Sequence, residues 1–255
     1  MVKPLFRLLT ELSSGKALSE IAGRFAKSRL SRPLIPWFAK TYGIAVEEAE
    51  KALAEYASLN EFFTRRLKPG LRPVDPDPTA LVSPVDAVVT ALGPVRSGQP
   101  IRVKGHEYTV EELLNRSPRT VCYKDGFCFV LYLSPADYHR IHAPVSGTVA
   151  DREQVPGKAY PVNDFGMRYV PKIFNRNERL ITYIAHPYGE LALVKVGAMN
   201  VSSIRYAEPL PDRLKAGDEL ARFEFGSTIV LLTGGNALEC RSGLTAGSRG
   251  KVGEA

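Results

Sequence analysis

Gly226-Ser227-Thr228, close to the end of a chain of 255 residues, sets a serine between a residue without a side chain and a β-branched one. The apolar run Ile229-Val230-Leu231-Leu232 follows at once. A hydroxyl in that place could attack the Gly226 carbonyl, because glycine lets the backbone take angles that other residues resist. The chemistry would be scission of the chain by its own serine. Taken alone, an ordinary turn before a strand is the commoner reading of the tripeptide. Self-cleavage therefore requires a base, a group to orient the base, and a context.

The chain has four histidines, His106, His139, His142 and His186. Two stand close together after the apolar run Phe127 to Leu133, which reads as a buried strand. In Ser134-Pro135-Ala136-Asp137, a capping serine, a proline at the first helical position and an acid three residues after the cap predict one short helical turn. Tyr138, His139 and Arg140 would close it. The spacing of three between His139 and His142 then places both imidazoles on one side of the turn, facing one pocket. Imidazole titrates nearest neutrality, so such a pair suits proton abstraction and delivery. A metal pair is the competing chemistry, but Cys122, Cys128 and Cys240 are scattered without ligand spacing and no third ligand emerges, so no metal is expected. A structural pair hydrogen-bonded to backbone remains the plain alternative.

Asp86 lies inside Leu81-Val82-Ser83-Pro84-Val85-Asp86-Ala87-Val88-Val89, an apolar strand-like stretch. A buried carboxylate needs a partner, such as an imidazole N–H; a solvated turn aspartate fits the spacing equally. Asp86, His142 and Ser227 together would supply orienter, base and nucleophile, an arrangement indifferent to chain order.

The elements that must position these residues divide into two segments. Residues 1–72 read as helices, including Val46 to Ala57 and a helix opened by the capping box Ser58-x-x-Glu61. The proline-rich Arg72-Pro73-Val74-Asp75-Pro76-Asp77-Pro78 is a linker. From Leu81 onward short strands alternate with Gly and Pro turns: Leu81 to Leu92, Val121 to Leu133, Gly147 to Val155, Leu180 to Ala185, Leu191 to Val196, Glu219 to Phe225 and Thr228 to Thr233. A helix interrupts at Val110 to Leu114. The fold class is α+β: N-terminal basic amphipathic helices, then a catalytic domain, residues 73–255, built as a β-rich sandwich or barrel.

With 44% hydrophobic residues the chain can bury a sizeable core. Three unpaired cysteines and no convincing cleavable signal suggest a reducing compartment. Residues 1 to 46 carry eight cations against two carboxylates, six of the net +7. Apolar residues recur there at helical spacing, Leu18, Ile21, Ala22 and Phe25, then Leu34, Ile35, Trp37 and Phe38. A basic amphipathic segment of this kind suits an anionic membrane surface, and no apolar run approaches the roughly 20 residues needed to span a bilayer. Nucleic acid is not expected, since basic and aromatic residues do not interleave.

Across most of its length the sequence resembles the bacterial phosphatidylserine decarboxylase proenzymes. The resemblance rests on ordered motifs: Ser58-Leu59-Asn60-Glu61-Phe62-Phe63-Thr64-Arg65-Arg66-Leu67 with Arg72-Pro73, Ser83-Pro84-Val85-Asp86, Leu133-Ser134-Pro135 through Tyr138-His139-Arg140-Ile141-His142-Ala143-Pro144, Asn177-Glu178-Arg179, Val196-Gly197-Ala198, and Phe225-Gly226-Ser227-Thr228. The family usually has leucine where this chain has Phe225, a change that leaves the Gly-Ser bond intact. The resemblance implies that Asp86, His142 and Ser227 form a self-processing triad and that the chain cleaves between Gly226 and Ser227. It further implies that Ser227 becomes a covalent pyruvoyl cofactor, and that the long chain (1–226) and the short chain (227–255) stay associated without a covalent link. The pyruvoyl carbonyl would form a Schiff base with phosphatidylserine and accept the electrons of the bond to carbon dioxide, giving phosphatidylethanolamine. His139 would take part in protonation. Arg140, Lys158 and Arg179 are candidate donors to the substrate phosphate. The implied location is peripheral, on the cytoplasmic face of the cell membrane, with a homodimer among the assemblies allowed.

Two other readings stand beside it. A serine hydrolase would use Asp86, His142 and Ser227 on an external ester and leave the chain whole. A non-catalytic carrier-like β-domain is suggested by Ala143-Pro144-Val145-Ser146-Gly147-Thr148-Val149 and Lys215-Ala216-Gly217-Asp218-Glu219, which resemble biotinyl and lipoyl hairpins. No Met-Lys-Met tip accompanies them.

Overall fold

The structure, a computed structural model, describes residues 16–162, 164–198, 204–224, 227–235 and 238–255. Phe225 and Gly226, and with them one side of the expected scission site, lie outside the described residues, as do residues 1–15.

Among the described residues, the N-terminal segment forms three short α-helices, α1 (Lys16–Lys27), α2 (Ile35–Tyr42) and α3 (Leu59–Phe63). Gly43, in the left-handed conformation at φ 64°, ends α2 as glycine does at many helix C-termini. Ser58 begins α3 by accepting the Glu61 N–H at 3.2 Å. The capping box is completed one residue early, because the Glu61 carboxylate takes the Ala57 N–H at 2.8 Å. Ile35, Phe38, Tyr56, Phe62 and Phe63 bury a small core of their own. The helix expected over Val46 to Ala57 is instead two 3-10 turns, Val46–Glu48 and Leu53–Glu55. Backbone bonds from Glu50 N–H to Arg66 and from Lys68 N–H to Glu48 pull that segment into an extended pairing, and tertiary bonding overrides helical propensity.

The remainder is β-rich. Strands β1 (Ala87–Pro94), β4 (Phe127–Leu133), β6 (Gly147–Val155), β7 (Arg179–His186), β8 (Gly189–Gly197), β10 (Arg213–Leu214), β12 (Ser227–Thr233) and β13 (Arg249–Gly250) form one antiparallel sheet of order β10-β6-β7-β8-β12-β4-β1-β13. A second sheet has the order β5-β11-β9, with β5 (Arg140–His142), β9 (Ile204–Tyr206) and β11 (Glu219–Phe223), and β2 (Ile101–Val103) pairs with β3 (His106–Tyr108). The large sheet ends on two different edge strands, so the sandwich is open and the barrel alternative does not hold.

Both faces of the large sheet are covered, which explains why β12 is apolar without interruption. Ile229 and Leu231 join the core beneath the three-stranded sheet, with Ile141, Ala221 and Phe223. Val230 and Leu232 face the opposite core, beneath α4 (Val110–Leu113), α5 (Asp164–Tyr169) and α6 (Ile173–Arg176). The two last helices and the β2-β3 hairpin escape sequence reading because each is too short to show a period.

Candidate active site

The end of the sheet where β4 and β8 finish is where β12 begins. In register, Ser227 lies opposite Leu133 on one side and Gly197 on the other. Leu133 leads directly into Ser134 to His142, so the strand partner of Ser227 delivers the two histidines. Gly197 is fixed from behind: Asn177, fully buried, donates from Nδ2 to the Gly197 carbonyl at 2.7 Å and to the Tyr160 carbonyl at 2.8 Å. Its Oδ1 accepts the Tyr160 N–H at 2.9 Å, and the Gly197 N–H donates to the Glu178 carbonyl at 2.9 Å. Asn177-Glu178-Arg179 thus clamps the backbone that faces Ser227.

The helical turn expected over Ser134 to Arg140 does not form. Both the N–H and the hydroxyl of Ser134 donate to Asp137 Oδ2 at 2.7 Å, closing a tight turn, after which the chain is extended and pairs with β11. The ladder wins over the capping signal because it pairs Arg140 to His142 with Arg222 to Glu219 of the second sheet. The histidines consequently have separate surroundings. His139 is wholly buried, its ring 3.9 Å from that of Phe63 between centroids, with Nδ1 donating to the Asp137 carbonyl at 2.9 Å. Its Nε2 is buried without a partner among the described residues. Burial pushes its pKa down from 6.5 to about 3, so the ring is neutral.

His142 follows on β5. Its Nδ1 faces the Gly217 carbonyl at 2.7 Å, which assigns the proton to Nδ1, and its Nε2 faces the Tyr138 hydroxyl at 3.2 Å. Desolvation lowers its pKa, keeping a basic Nε2 at neutral pH. Orientation of this base comes from a backbone carbonyl and a tyrosine.

Asp86 is buried, as its setting demanded, but its partner differs from the imidazole that the sequence suggested. Arg72 Nε donates to both carboxylate oxygens at 3.0 Å and Nη2 to Oδ2 at 2.6 Å, while the Val252 N–H donates to Oδ1 at 2.9 Å. A guanidinium fork matches a carboxylate better than one ring nitrogen can. Arg72 also bonds Glu48 at 2.7 Å, so the expected linker is an ionic anchor. Asp86 reaches His142 by two indirect routes. Its charge raises the imidazole's proton affinity, and the carbonyl of Pro84, two residues before it in sequence, accepts the His142 backbone N–H at 2.8 Å.

The candidate phosphate donors are largely engaged. Arg140 pairs with Glu219 and bonds the Thr64 carbonyl at 3.0 Å. Arg179 Nη1 serves the carbonyls of Phe174, Asn175 and Asn177, closing α6, and Lys158 stands 5.4 Å from the Tyr160 ring centroid. Sequence reading also passed over Lys195, fully buried on β8 opposite Ile229. Its Nζ donates to Thr182 Oγ1 at 2.6 Å and the Leu193 carbonyl at 3.2 Å, and burial pushes its pKa well below the ordinary value. A lysine within Leu191-Ala192-Leu193-Val194-Lys195-Val196 was the available signal.

A sequence profile described as phosphatidylserine decarboxylase matches residues 59–255. Proteins called phosphatidylserine decarboxylase proenzyme from Bacillus cereus strain B4264 and Bacillus thuringiensis strain Al Hakam are each 42% identical to this chain over 254 residues, covering 100% of it and 97% of their own length. The chain belongs to the phosphatidylserine decarboxylase family. Its family motifs gather at the end of the sheet where β12 starts: Phe63 against His139, Arg65 Nη2 donating to the Ala136 carbonyl at 2.9 Å, and Asn177 on Gly197.

Proposed function

We propose that this chain is a self-processing phosphatidylserine decarboxylase whose pyruvoyl cofactor arises from Ser227. The observation that carries the reading is the register of Ser227. It opens a central strand between β8 and β4, and β4 runs straight into the segment bearing His139 and His142. In the first step His142 Nε2 takes the Ser227 hydroxyl proton as that oxygen attacks the Gly226 carbonyl, and the proton passes to the departing amide nitrogen. The resulting ester breaks by elimination, so Gly226 keeps the serine oxygen as its carboxylate. The dehydrated residue 227 then gains water and loses ammonia. Asp86, His142 and Ser227 keep the roles of the triad, with Asp86 acting through charge and through Pro84.

The fold suits a cofactor at a chain terminus. Ile229, Val230, Leu231 and Leu232 are each at most 3% exposed, and β12 is paired on both sides. At about 1.5–3 kcal/mol per buried side chain, the four together contribute roughly 6–12 kcal/mol to holding the short chain without a covalent link. A pyruvoyl group there supplies an electrophilic carbonyl that serves as the electron sink for decarboxylation. His139 Nε2 holds the proton that replaces carbon dioxide. The anionic substrate raises the pKa of that buried ring, so protonation accompanies binding.

Membrane contact fits the N-terminal segment. No helix among the described residues is long and apolar enough to cross a membrane. Ile21, Leu30 and Trp37 are nevertheless 64%, 78% and 63% exposed, with Arg24, Arg29 and Lys40 nearby in sequence. Such a surface lies on anionic lipid from the cytoplasmic face. The experiment for the function follows conversion of phosphatidylserine vesicles to phosphatidylethanolamine. Wild type should run as two chains and convert the lipid, and Ser227→Ala should run as one and not convert it. An uncut wild type whose serine is labelled by an acylating reagent would favour the hydrolase.

A further inference from the structure

We propose that Arg65 acts through His139, its fixed charge driving the proton from His139 Nε2 to the substrate carbon once carbon dioxide has left, a role that rests on the decarboxylase reading. Arg65 follows α3 by two residues and is only 4% exposed. Its Nη2 donates to the Ala136 carbonyl at 2.9 Å and to the Asp137 carbonyl at 3.4 Å. Nε and Nη1 are buried, and neither has a partner among the described residues. The Phe62 ring centroid lies 5.5 Å from the guanidinium carbon and covers part of the group. Burial lowers the pKa of Arg65, but a guanidinium stays charged in a protein. Two bonds to neutral carbonyls leave that charge unmatched, and a buried charge without a counter-ion is costly. A neutral amide would brace the same carbonyls at less cost, so the charge itself calls for a use.

The acids that face Arg65 have donors of their own. Glu48 and Asp86 close on Arg72 at 2.7 Å and 2.6 Å. The Asp137 carboxylate takes the N–H and hydroxyl of Ser134, both at 2.7 Å, and meets Arg249 at 3.5 Å. Tyr56 also faces Arg65, and burial raises its pKa, so that hydroxyl is neutral. The geometry joins the cation to His139. The Asp137 carbonyl that accepts Arg65 Nη2 also accepts His139 Nδ1 at 2.9 Å, so guanidinium and imidazole meet at one oxygen. From β11 the Phe223 N–H donates to the His139 carbonyl at 3.0 Å, and the neighbouring Glu224 is held by Lys27 at 2.6 Å. Burial is the main cause of the neutral ring; the bond to the Asp137 carbonyl opposes it, and the Arg65 charge adds to it.

Phosphatidylserine brings a carboxylate whose charge offsets Arg65 and lets Nε2 take a proton from solvent. Breaking the carbon–carbon bond releases neutral carbon dioxide and leaves the electron pair with the substrate. The carboxylate that offset Arg65 is then gone. Repulsion from the guanidinium now favours transfer of the Nε2 proton to the carbon that lost carbon dioxide. The imidazole returns to neutral, with one proton gained on binding and one delivered to the product.

Arg65→Gln keeps a donor for the Ala136 carbonyl and removes the charge, whereas Arg65→Lys keeps the charge. Cleavage into two chains uses His142 and should proceed in both. In Arg65→Gln the alkaline limb of kcat on phosphatidylserine micelles, where protonated His139 is lost, should move up by about one pH unit or more, with a larger solvent deuterium isotope effect. In Arg65→Lys it should stay at the wild-type position. Carbon-13 NMR of histidine-labelled protein in a Ser227→Ala background reads the ring without turnover. Its pKa of about 3 should rise by about one unit or more in Arg65→Gln and not in Arg65→Lys. An unmoved limb or an unmoved titration in Arg65→Gln overturns the proposal while self-cleavage and decarboxylation stand. A shift of that size in Arg65→Lys overturns it too, even where the glutamine variant fails to fold. Wild type that neither cleaves nor decarboxylates overturns the decarboxylase reading as well.

Discussion

Replacing His139 by glutamine should remove a specific part of the acid sensitivity of this fold. The imidazole is wholly buried against Phe63, and burial lowers its pKa from 6.5 to about 3. The folded chain thus keeps the ring neutral while the unfolded chain protonates it below pH 6.5. Stability from this group is fully present above that value and is lost as pH falls toward 3. At about 1.4 kcal/mol per unit, the whole interval amounts to roughly 5 kcal/mol, and the fall from pH 7 to 4.5 to about 2.5 kcal/mol. That is a large share of the roughly 5–15 kcal/mol typical of a folded domain. Glutamine does not titrate, and His142, whose pKa burial also lowers, acts alike in both proteins and cancels in the comparison. Urea unfolding at pH 7, 5.5 and 4.5, in a Ser227→Ala background so that one continuous chain is compared, reads the difference. Wild type should lose about 2.5 kcal/mol more than His139→Gln between the outer two values. Equal losses would refute the claim that a neutral His139 is packed in the interior.

Arg72→Met should destabilise the protein by about 3 kcal/mol or more in urea unfolding, because it strands the Asp86 carboxylate, whose side chain is 11% exposed, without its guanidinium. Unchanged stability would mean that the Val252 N–H alone satisfies it. In an Asp86→Asn variant, chain cleavage followed on a denaturing gel should slow, since the Asp86 charge that supports His142 is gone; an unaltered rate would remove Asp86 from the processing account. Ile21→Glu and Trp37→Glu should weaken co-sedimentation with phosphatidylglycerol vesicles severalfold while leaving melting unchanged, and undiminished binding would exclude that face as the contact.

The sequence was most legible where a residue's surroundings are its own neighbours. The apolar run of β12 announced a central strand because both faces are covered. Helix α4 was readable from Thr109 and Glu112, whose side chains cap one another's backbone. Long-range partners were not legible. Nothing in Ser83-Pro84-Val85-Asp86 tells that the carboxylate is met by Arg72 and Val252, and nothing around His142 points to the Gly217 carbonyl. The Ser134-Pro135-Ala136-Asp137 signal misled for a related reason. Asp137 does cap Ser134, but the pairing of β5 with β11, seventy-odd residues away in sequence, decides the conformation that follows.

The central claim is that the bond between Gly226 and Ser227 is cut and that Ser227 becomes the cofactor. The intact mass of purified wild-type protein under denaturing conditions tests it most directly. Two species are expected, residues 1–226 with an ordinary carboxylate end, and residues 227–255 lighter by one ammonia than the free peptide and refractory to Edman degradation. A single species with the mass of the whole chain, from a preparation that converts phosphatidylserine, would contradict the account.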